Sequence, residues 1–177
     1  MPAEKGTAII EAGSYIQGDQ IELRAGAVIE AGAWVTGPTI LGPGTVVRNG
    51  AYIRGGVLTG ERAVIGHTTE VKSSIFLNDA KAPHFAYVGD SVLGNRVNLG
   101  AGTKLSNLKI TGTEVKIRVA EEKIPTGLRK FGAIVGDGTE TGCNSVLNPG
   151  VLLGRDCLVY PALSVRSGYY KASTTIK

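Results

Sequence analysis

The stretch LRAGAVIEAGAWVTGPTILGPGTVVRNGAYI, residues 23–53, decides the fold, because an aliphatic side chain returns in it at every sixth position. The same step continues beyond this stretch, with a single interruption at Thr59. The aliphatic positions of this first run are Leu23, Ile29, Val35, Leu41, Val47, Ile53, Ile65, Val71 and Leu77. A second run keeps the step at Val135, Thr141, Leu147, Leu153, Val159 and Val165. A short period held over so much of the chain indicates a repeat architecture.

A period of six fits neither a lone helix nor a lone strand, whose apolar residues recur at 3.6 and 2 positions. It fits a short strand with one inward side chain, followed by a sharp turn of the kind that the 26 glycines permit. Three such edges close a triangular coil, and successive coils stack at roughly 4.8 Å. We therefore predict an all-β fold, a single left-handed parallel β-helix of hexapeptide repeats over residues 1–177. A β-sandwich is the alternative, but it requires longer runs of period-two alternation.

The six-residue repeat is interrupted in two places. Leu77 and Leu93 are 16 positions apart where three repeats need 18, and His84 lies between them. Residues 106–131 also leave the pattern, and their apolar residues alternate around residues 111–113, which predicts a β-hairpin extruded from the solenoid. This hairpin either contacts an adjacent subunit or is a solvated excursion. Residues 166–177 are interpreted as a short C-terminal tail.

Composition excludes several classes of function. The formal charge of +4 is small and spread along the chain, which argues against a nucleic-acid partner. The two cysteines form no CxxC motif, so we interpret them as small buried residues in a reducing compartment. No apolar window is long enough to span a membrane, and the N-terminal MPAEKGTAIIEAG lacks a secretory signal. These features predict a cytoplasmic protein without a membrane partner.

Two segments carry a resemblance to a known family. They are VKSSIFLNDAKAPHFAYVGDSVLGNRVNLGAGTKLSN, residues 71–107, and TGLRKFGAIVGDGTETGCNSVLNPGVLLG, residues 126–154. They resemble hexapeptide-repeat acyltransferases. The likeness is to the acetyltransferase domain of bifunctional N-acetylglucosamine-1-phosphate uridyltransferase (glucosamine-1-phosphate acetyltransferase), including its archaeal sugar-1-phosphate nucleotidylyltransferase/acetyltransferase branch. The likeness runs from about Arg54 to Val165.

The resemblance implies an activity and its partners. The expected reaction is acetyl-CoA-dependent N-acetylation of an amino-sugar 1-phosphate such as glucosamine 1-phosphate, in nucleotide-sugar (UDP-N-acetylglucosamine) biosynthesis. The expected assembly is a homotrimer with sites between subunits, and acetyl transfer needs no metal. No nucleotidyltransferase domain is recognised in this sequence, so a separate nucleotidyltransferase is a further expected partner. The sugar, and whether an amine or a hydroxyl is acylated, stay open.

The same resemblance assigns roles to individual residues. His84, in KAPHFAY, matches the general base, for which an imidazole is suited because its ordinary pKa lies near neutral pH. Glu70 matches a carboxylate near this base, Asn107 the residue that positions the amine, and Ala101 a backbone N–H facing the thioester oxygen. The positions matching sugar and phosphate ligands are Arg54, Lys72, Tyr87, Asn98 and Lys130. Those expected along the acetyl-CoA groove are Ala101, Cys143 and Pro161.

Two other functions are weighed against this one. A non-catalytic trimeric module that binds a sugar nucleotide, or serves as a scaffold, is the alternative, because no nucleotidyltransferase domain is recognised. Trimeric zinc carbonic anhydrases share the fold, but their metal needs three histidines and this chain has His67 and His84 alone. His67 is interpreted as an exposed corner residue.

Overall fold

Short parallel strands wind into a three-sided solenoid in the computed structural model, which describes residues 6–177. The first sheet contains β1 (Ile9–Ile10), β4 (Val28–Ile29), β7 (Val46–Val47), β10 (Val64–His67), β13 (Lys81–His84), β16 (Asn98–Leu99), β21 (Glu140–Thr141), β24 (Leu158–Val159) and β27 (Thr175–Ile176). The second contains β2 (Tyr15–Gln17), β5 (Trp34–Thr36), β8 (Tyr52–Ile53), β11 (Glu70–Lys72), β14 (Tyr87–Gly89), β17 (Lys104–Leu105), β22 (Val146–Leu147) and β25 (Ser164–Val165). The third contains β3 (Ile21–Leu23), β6 (Thr39–Leu41), β9 (Val57–Thr59), β12 (Ser74–Phe76), β15 (Val92–Leu93), β20 (Ala133–Val135), β23 (Val151–Leu153) and β26 (Gly168–Tyr170).

Each coil takes one strand from each sheet, so the chain visits the three sheets in turn. Regular coils repeat every 18 residues, as the pairing of Val28 with Val46 and of Ala133 with Val151 illustrates. All the strands of these three sheets pair in parallel. The all-β solenoid predicted from the six-residue step is confirmed. Within residues 6–177, no helix has the length and apolarity to cross a bilayer.

The core is the predicted aliphatic ladder. Ile29, Val35 and Leu41 are fully buried, and the same holds one coil later for Val47 and Ile53. Polar members of the ladder are hydrogen-bonded, as buried polar groups must be. Thr59, which interrupts the aliphatic run, shares a 2.8 Å hydrogen bond with the Thr45 hydroxyl and accepts another from the Gly42 N–H at 2.8 Å. These hydroxyls are therefore satisfied by protein partners inside the solenoid.

The register between residues 71 and 93 differs from the prediction. Phe76 is fully buried, whereas Leu77, expected to point inward, is 37% exposed. The inward step is five residues from Val71 to Phe76 and again five from Val88 to Leu93. Each of these corners, between the second and third sheets, is one residue short. Adjacent Phe76 and Leu77 are both large and apolar, so the six-residue count selected the wrong one.

This register changes the position of His84. Six-residue steps lead from Phe76 to Ala82 and from Ala82 to Val88, so the strand that carries His84 lies in a regular part of the coil. The prediction that His84 sits within the interruption is wrong. His84 instead ends β13, directly beside His67 of β10 in the preceding coil.

The predicted excursion and its hairpin are present, but the hairpin strands lie elsewhere in it. β18 (Lys116–Val119) and β19 (Glu122–Pro125) pair in antiparallel fashion. The hairpin turn is at Ala120, whose φ of 51° lies in the left-handed region, and not at residues 111–113 as predicted. The chain does turn just before it, where Gly112 N donates to Lys109 O at 2.8 Å. The second strand, β19, lies within the polar stretch of residues 120–130. The buried Val115 anchors the base of the hairpin.

The last residues of the chain continue the solenoid. β26 pairs with β23, and β27 pairs with β24. Tyr170 and Ile176 pack against the hydrophobic core from these strands. Residues 166–177, expected as a short tail, therefore form most of a final coil.

Asp137 joins the coils on either side of the excursion. Its Oδ1 accepts the Asn95 backbone N–H at 2.7 Å, and both carboxylate oxygens lie 3.2 Å from the Asn95 side-chain nitrogen. These bonds, from the Asn95 side chain first and its backbone second, lower the pKa of Asp137. A lowered pKa in the folded state stabilises the fold above the ordinary carboxyl pKa of about 3.9, and the contribution is lost as pH falls through the lowered value.

We expect Asp137→Asn to lower the melting temperature at pH 7 and to lower it progressively less as the pH falls below about 4. Thermal melts of both proteins across that range measure the difference. Asp19→Asn, at an exposed carboxylate, is the matched control and should leave the melting temperature unchanged. A difference that stays constant down to the acid limit would contradict the role of the ionised carboxylate.

Candidate functional site

Four of the predicted site residues stack in one column along the corner between the first and second sheets, here called the first edge. The second residue after each inward side chain of the first sheet is, in successive coils, His67, His84, Ala101, Cys143 and Pro161. Backbone hydrogen bonds join the coils here. Gly102 N donates to His84 O at 3.0 Å, Asn144 N to Ala101 O at 2.8 Å, and Ala162 N to Cys143 O at 2.8 Å. Neighbours in such a column are separated by about 4.8 Å.

His84 itself is an exposed side chain at the first edge. Phe85 follows it with a φ of 33° and is 53% exposed. The Phe85 ring lies against Gly102 of the next coil, where an added Cβ would come within 2.8 Å of the ring. The His84 corner and the Ala101–Gly102 corner are therefore in contact. The Ala101 N–H has no acceptor within residues 6–177, so it is free to receive one.

A hydrogen-bonded network lies at the next corner, between the second and third sheets, here called the second edge. Lys72 Nζ bonds both oxygens of Asp90, at 3.0 and 2.8 Å, and the two side chains are 17% and 20% exposed. Asn107 donates from Nδ2 to the same Asp90 carboxylate and accepts from the Tyr87 hydroxyl at 3.4 Å. Gly89 leaves room for them, because a Cβ there would lie 2.7 Å from both Asn107 Nδ2 and Tyr87 Oη.

Asp90 is the residue of this network that the sequence interpretation missed. It occupies a corner at a φ of 47°, in the left-handed region that aspartate tolerates better than most residues. In the sequence it therefore looks like an ordinary turn residue after Gly89. The signal that would have identified it is its position, since it follows the second-sheet strand at the same point as Asn107 one coil later.

Arg54 and Glu70 form a second pair on this side of the molecule. Arg54 Nη1 lies 2.7 Å from Glu70 Oε1, and the side chains are 45% and 37% exposed. The hydrogen bond to Glu70, followed by its charge, raises the pKa of Arg54. By register, Glu70 lies beside Tyr87 in the second sheet, and its carboxylate pairs with Arg54 and not with His84. The expected contact between Glu70 and the histidine is absent in the single chain.

The remaining predicted ligands lie on different faces. Lys130 closes the excursion through a bridge with Leu108 and lines a cavity of about 310 Å³ that it shares with Asp90. Asn98 faces outward from the first sheet beside Lys81. His67 is exposed as expected, and its Nδ1 lies 2.7 Å from Asn49 O.

The two edges flank one face of the solenoid. His84 and Gly89 belong to the same coil and are five residues apart, so their Cα atoms are separated by at most about 18 Å. The outward side chains between the edges are Glu70, Tyr87 and Lys104 in successive coils.

Both cysteines were predicted to be buried, and the prediction holds for one of them. Cys157 is buried as expected, whereas Cys143 is exposed within the first-edge column. Over residues 6–177, histidine, cysteine and carboxylate side chains nowhere gather in a group of three or more that could hold a metal ion.

Comparison with known proteins places the chain in a family. A family model described as the GMPPB C-terminal domain matches residues 35–124, a little over half of the 177 residues. The chain belongs to this family. The part that matches the GMPPB C-terminal domain contains His84, Ala101 and the complete Lys72–Asp90–Asn107 network. Cys143 and Pro161 of the first edge lie beyond it.

Relatives of this GMPPB C-terminal domain member carry the names that the resemblance predicts. The sequence is 44% identical over 101 residues to the bifunctional sugar-1-phosphate nucleotidylyltransferase/acetyltransferase of Sulfurisphaera tokodaii, covering 57% of this chain and 25% of that protein. It is 35% identical over 118 residues to the bifunctional protein GlmU of Methanococcus aeolicus, covering 63% and 28%. The chain thus spans about a quarter of the length of these curated relatives, and the resemblance is confirmed.

A solved structure supports the fold. The UDP-N-acetylglucosamine acyltransferase of Francisella novicida aligns with a TM-score of 0.59 at 10% identity, covering 93% of this chain and 65% of that one. The left-handed parallel β-helix predicted from the hexapeptide step is confirmed. At this identity the likeness concerns the fold alone.

Proposed function

We propose that this chain is an acetyl-CoA-dependent N-acetyltransferase acting on an amino-sugar 1-phosphate, with His84 as general base. The observation that carries the proposal is the first-edge column, in which His84, Ala101 and Cys143 follow one another in successive coils. A thioester lying along this column passes a basic imidazole and a free backbone N–H within two coils. The names of the curated relatives support the same reaction class.

The first edge supplies the groups that amine acylation needs. The sugar amine attacks the thioester carbonyl carbon, and His84 accepts the proton that the amine loses. The Ala101 N–H donates to the carbonyl oxygen as negative charge develops on it. The C–S bond then breaks, and the coenzyme A thiolate leaves with a proton returned from the imidazolium. Pro161 and the exposed Cys143 continue the column along which the pantetheine arm would run.

The second edge is suited to hold the sugar phosphate. Arg54 and Lys130 are exposed cations there, and arginine can bind phosphate through two parallel hydrogen bonds. Lys72 is largely buried against Asp90, so its ammonium fixes the carboxylate that in turn orients Asn107. Glu70 already pairs with Arg54, and a phosphate would compete with it for the guanidinium.

Two features support a homotrimer. The Glu70 carboxylate pairs with Arg54 and not with His84, so a carboxylate beside this base would come from a neighbouring subunit. The third sheet offers a surface for assembly, because its outward side chains form an apolar row over seven coils. This row consists of Ile40, Leu58, Ile75, Val92, Ile134, Leu152 and Tyr169.

The proposed reaction is tested by measuring thiol release from acetyl-CoA with the purified chain. We expect release with glucosamine 1-phosphate and none with glucose 1-phosphate, which lacks the amine. Release with both sugars would contradict N-acylation. Binding of a sugar phosphate or sugar nucleotide without thiol release would overturn the enzyme proposal in favour of a non-catalytic binding module.

A further inference from the structure

We infer that a cavity between the hairpin and the C-terminal coils is a binding site for a nucleoside diphosphate, separate from the His84 column. The cavity has a volume of about 800 Å³, which is within the size range of small-molecule sites. One wall is the excursion and the other is formed by Asn148, Pro149, Arg166 and Tyr170 of the last coils. It opens along the second edge, whereas the proposed acetyl-transfer column follows the first.

Charge is the first argument for this site. Five cations line the cavity, namely Lys109, Lys116, Arg118, Lys123 and Arg166, and no carboxylate does. The whole chain carries a formal charge of only +4, so this concentration is a local feature and not a general property of the surface. Among residues 6–177, none of the five forms an ion pair with a carboxylate. Unpaired cations around one cavity favour an anion carrying more than one charge.

The hairpin brings two of these cations together at an energetic cost. Arg118 of β18 lies directly opposite Lys123 of β19 in the antiparallel register. Like charges in directly opposed positions destabilise a strand pair. A bound diphosphate would relieve this repulsion and add charge-assisted hydrogen bonds to the arginine.

The cavity is held open by the way the hairpin docks on the solenoid. Ser167 donates from its hydroxyl to Lys116 O at 3.0 Å. Gly168, at a φ of 141°, permits the close approach of β18, since an added Cβ would lie 3.2 Å from Arg118 O. Two hairpin cations are therefore fixed against the coil that carries Arg166.

Apolar groups in the same cavity favour a ligand that carries a nucleoside over a bare phosphate. Leu108, Ile110, Pro149 and Tyr170 also line it, and Ile110 is fully exposed to solvent. A phosphate alone would leave these groups uncovered. A flat base can pack on the tyrosine ring and the aliphatic side chains while the diphosphate contacts the cations.

The ligand could be a free nucleotide or the adenosine diphosphate end of coenzyme A. The second source rests on the proposed function, and the first does not. Calorimetric titration of the full chain with ADP, UDP, coenzyme A and inorganic pyrophosphate at 0.15 M salt separates them. We expect saturable nucleotide binding, at least about tenfold tighter than pyrophosphate binding, since only the nucleosides contact the apolar wall.

Arg118→Gln tests the location of the site. We expect it to weaken ADP binding by about tenfold, the usual scale for one charge-assisted hydrogen bond. Arg48→Gln removes one charge from the N-terminal coils and should change nothing. If Arg118→Gln weakens coenzyme A binding as well, the coenzyme occupies the cavity; if it weakens ADP binding alone, the ligand is a free nucleotide.

Three results would overturn the inference: no saturable nucleotide binding, equal affinity for pyrophosphate and ADP, or equal effects of Arg118→Gln and Arg48→Gln. The thiol-release assay is independent of these titrations. Nucleotide binding without acetyl transfer would leave the cavity site standing while the proposed function fails.

Discussion

Replacing His84 by alanine should lower kcat/KM for acetyl transfer by about 100- to 10,000-fold, the range that a general base contributes. The amine of the sugar must lose its proton as it attacks the thioester. The only other imidazole in the chain belongs to His67. Because the His84 side chain is exposed, its removal should leave the melting temperature unchanged. Thiol release measured beside a thermal melt separates loss of the base from loss of the fold.

His67 is the matched control for this experiment. It lies directly beside His84 in the neighbouring strand, at the same point of the coil, and is also exposed. Its ring Nδ1 lies 2.7 Å from Asn49 O, and His67 is one coil further than His84 from Ala101. We expect His67→Ala to retain nearly full activity. Undiminished activity of His84→Ala would contradict the mechanism. Equal losses of activity in both variants would indicate that the whole first edge is disturbed.

The solenoid could be predicted from the sequence because each side of a coil buries one large aliphatic side chain at a fixed position. A ladder of buried residues such as Ile29, Val35 and Leu41 leaves a period that neither helices nor ordinary strands produce. The prediction failed where a corner is one residue short, between Val71 and Phe76. Apolar residues fill both candidate positions there, so hydrophobicity alone cannot determine the register.

The family resemblance named the four first-edge residues, and the correct register shows that they form one column. Counting two positions beyond each inward residue of the first sheet gives His84, Ala101, Cys143 and Pro161 directly. At the second edge the resemblance named Lys72, Tyr87 and Asn107 but not Asp90, because an aspartate after a glycine looks like an ordinary turn residue. Asp90 enters the network through bonds to Lys72 and Asn107, from the coils on either side. Pairings across the excursion, such as that of Leu105 with Leu147, are likewise invisible to a six-residue count.

Leu153→Asp should destabilise the solenoid more than any surface change, by at least about 4 kcal/mol. Leu153 is 3% exposed and faces the interior from β23, between Val135 and Tyr170 of the neighbouring coils. The substitution removes buried methyl groups and places an ionised carboxylate in an aliphatic interior, where its charge loses its hydration. Chemical denaturation monitored by circular dichroism measures the loss.

Leu158→Asp provides the comparison, because Leu158 is 47% exposed on β24, five residues further along the same coil. It introduces the same carboxylate on the outer surface and should change stability by no more than about 0.5 kcal/mol.

Since each coil contacts only its neighbours, the damage from Leu153→Asp should be largest in the C-terminal coils and weakest around Ile29. Amide hydrogen exchange resolves this gradient along the chain. Uniform loss of protection from β4 to β26 would show that the solenoid unfolds as one unit, and equal effects of the two variants would mean that Leu153 does not face the core.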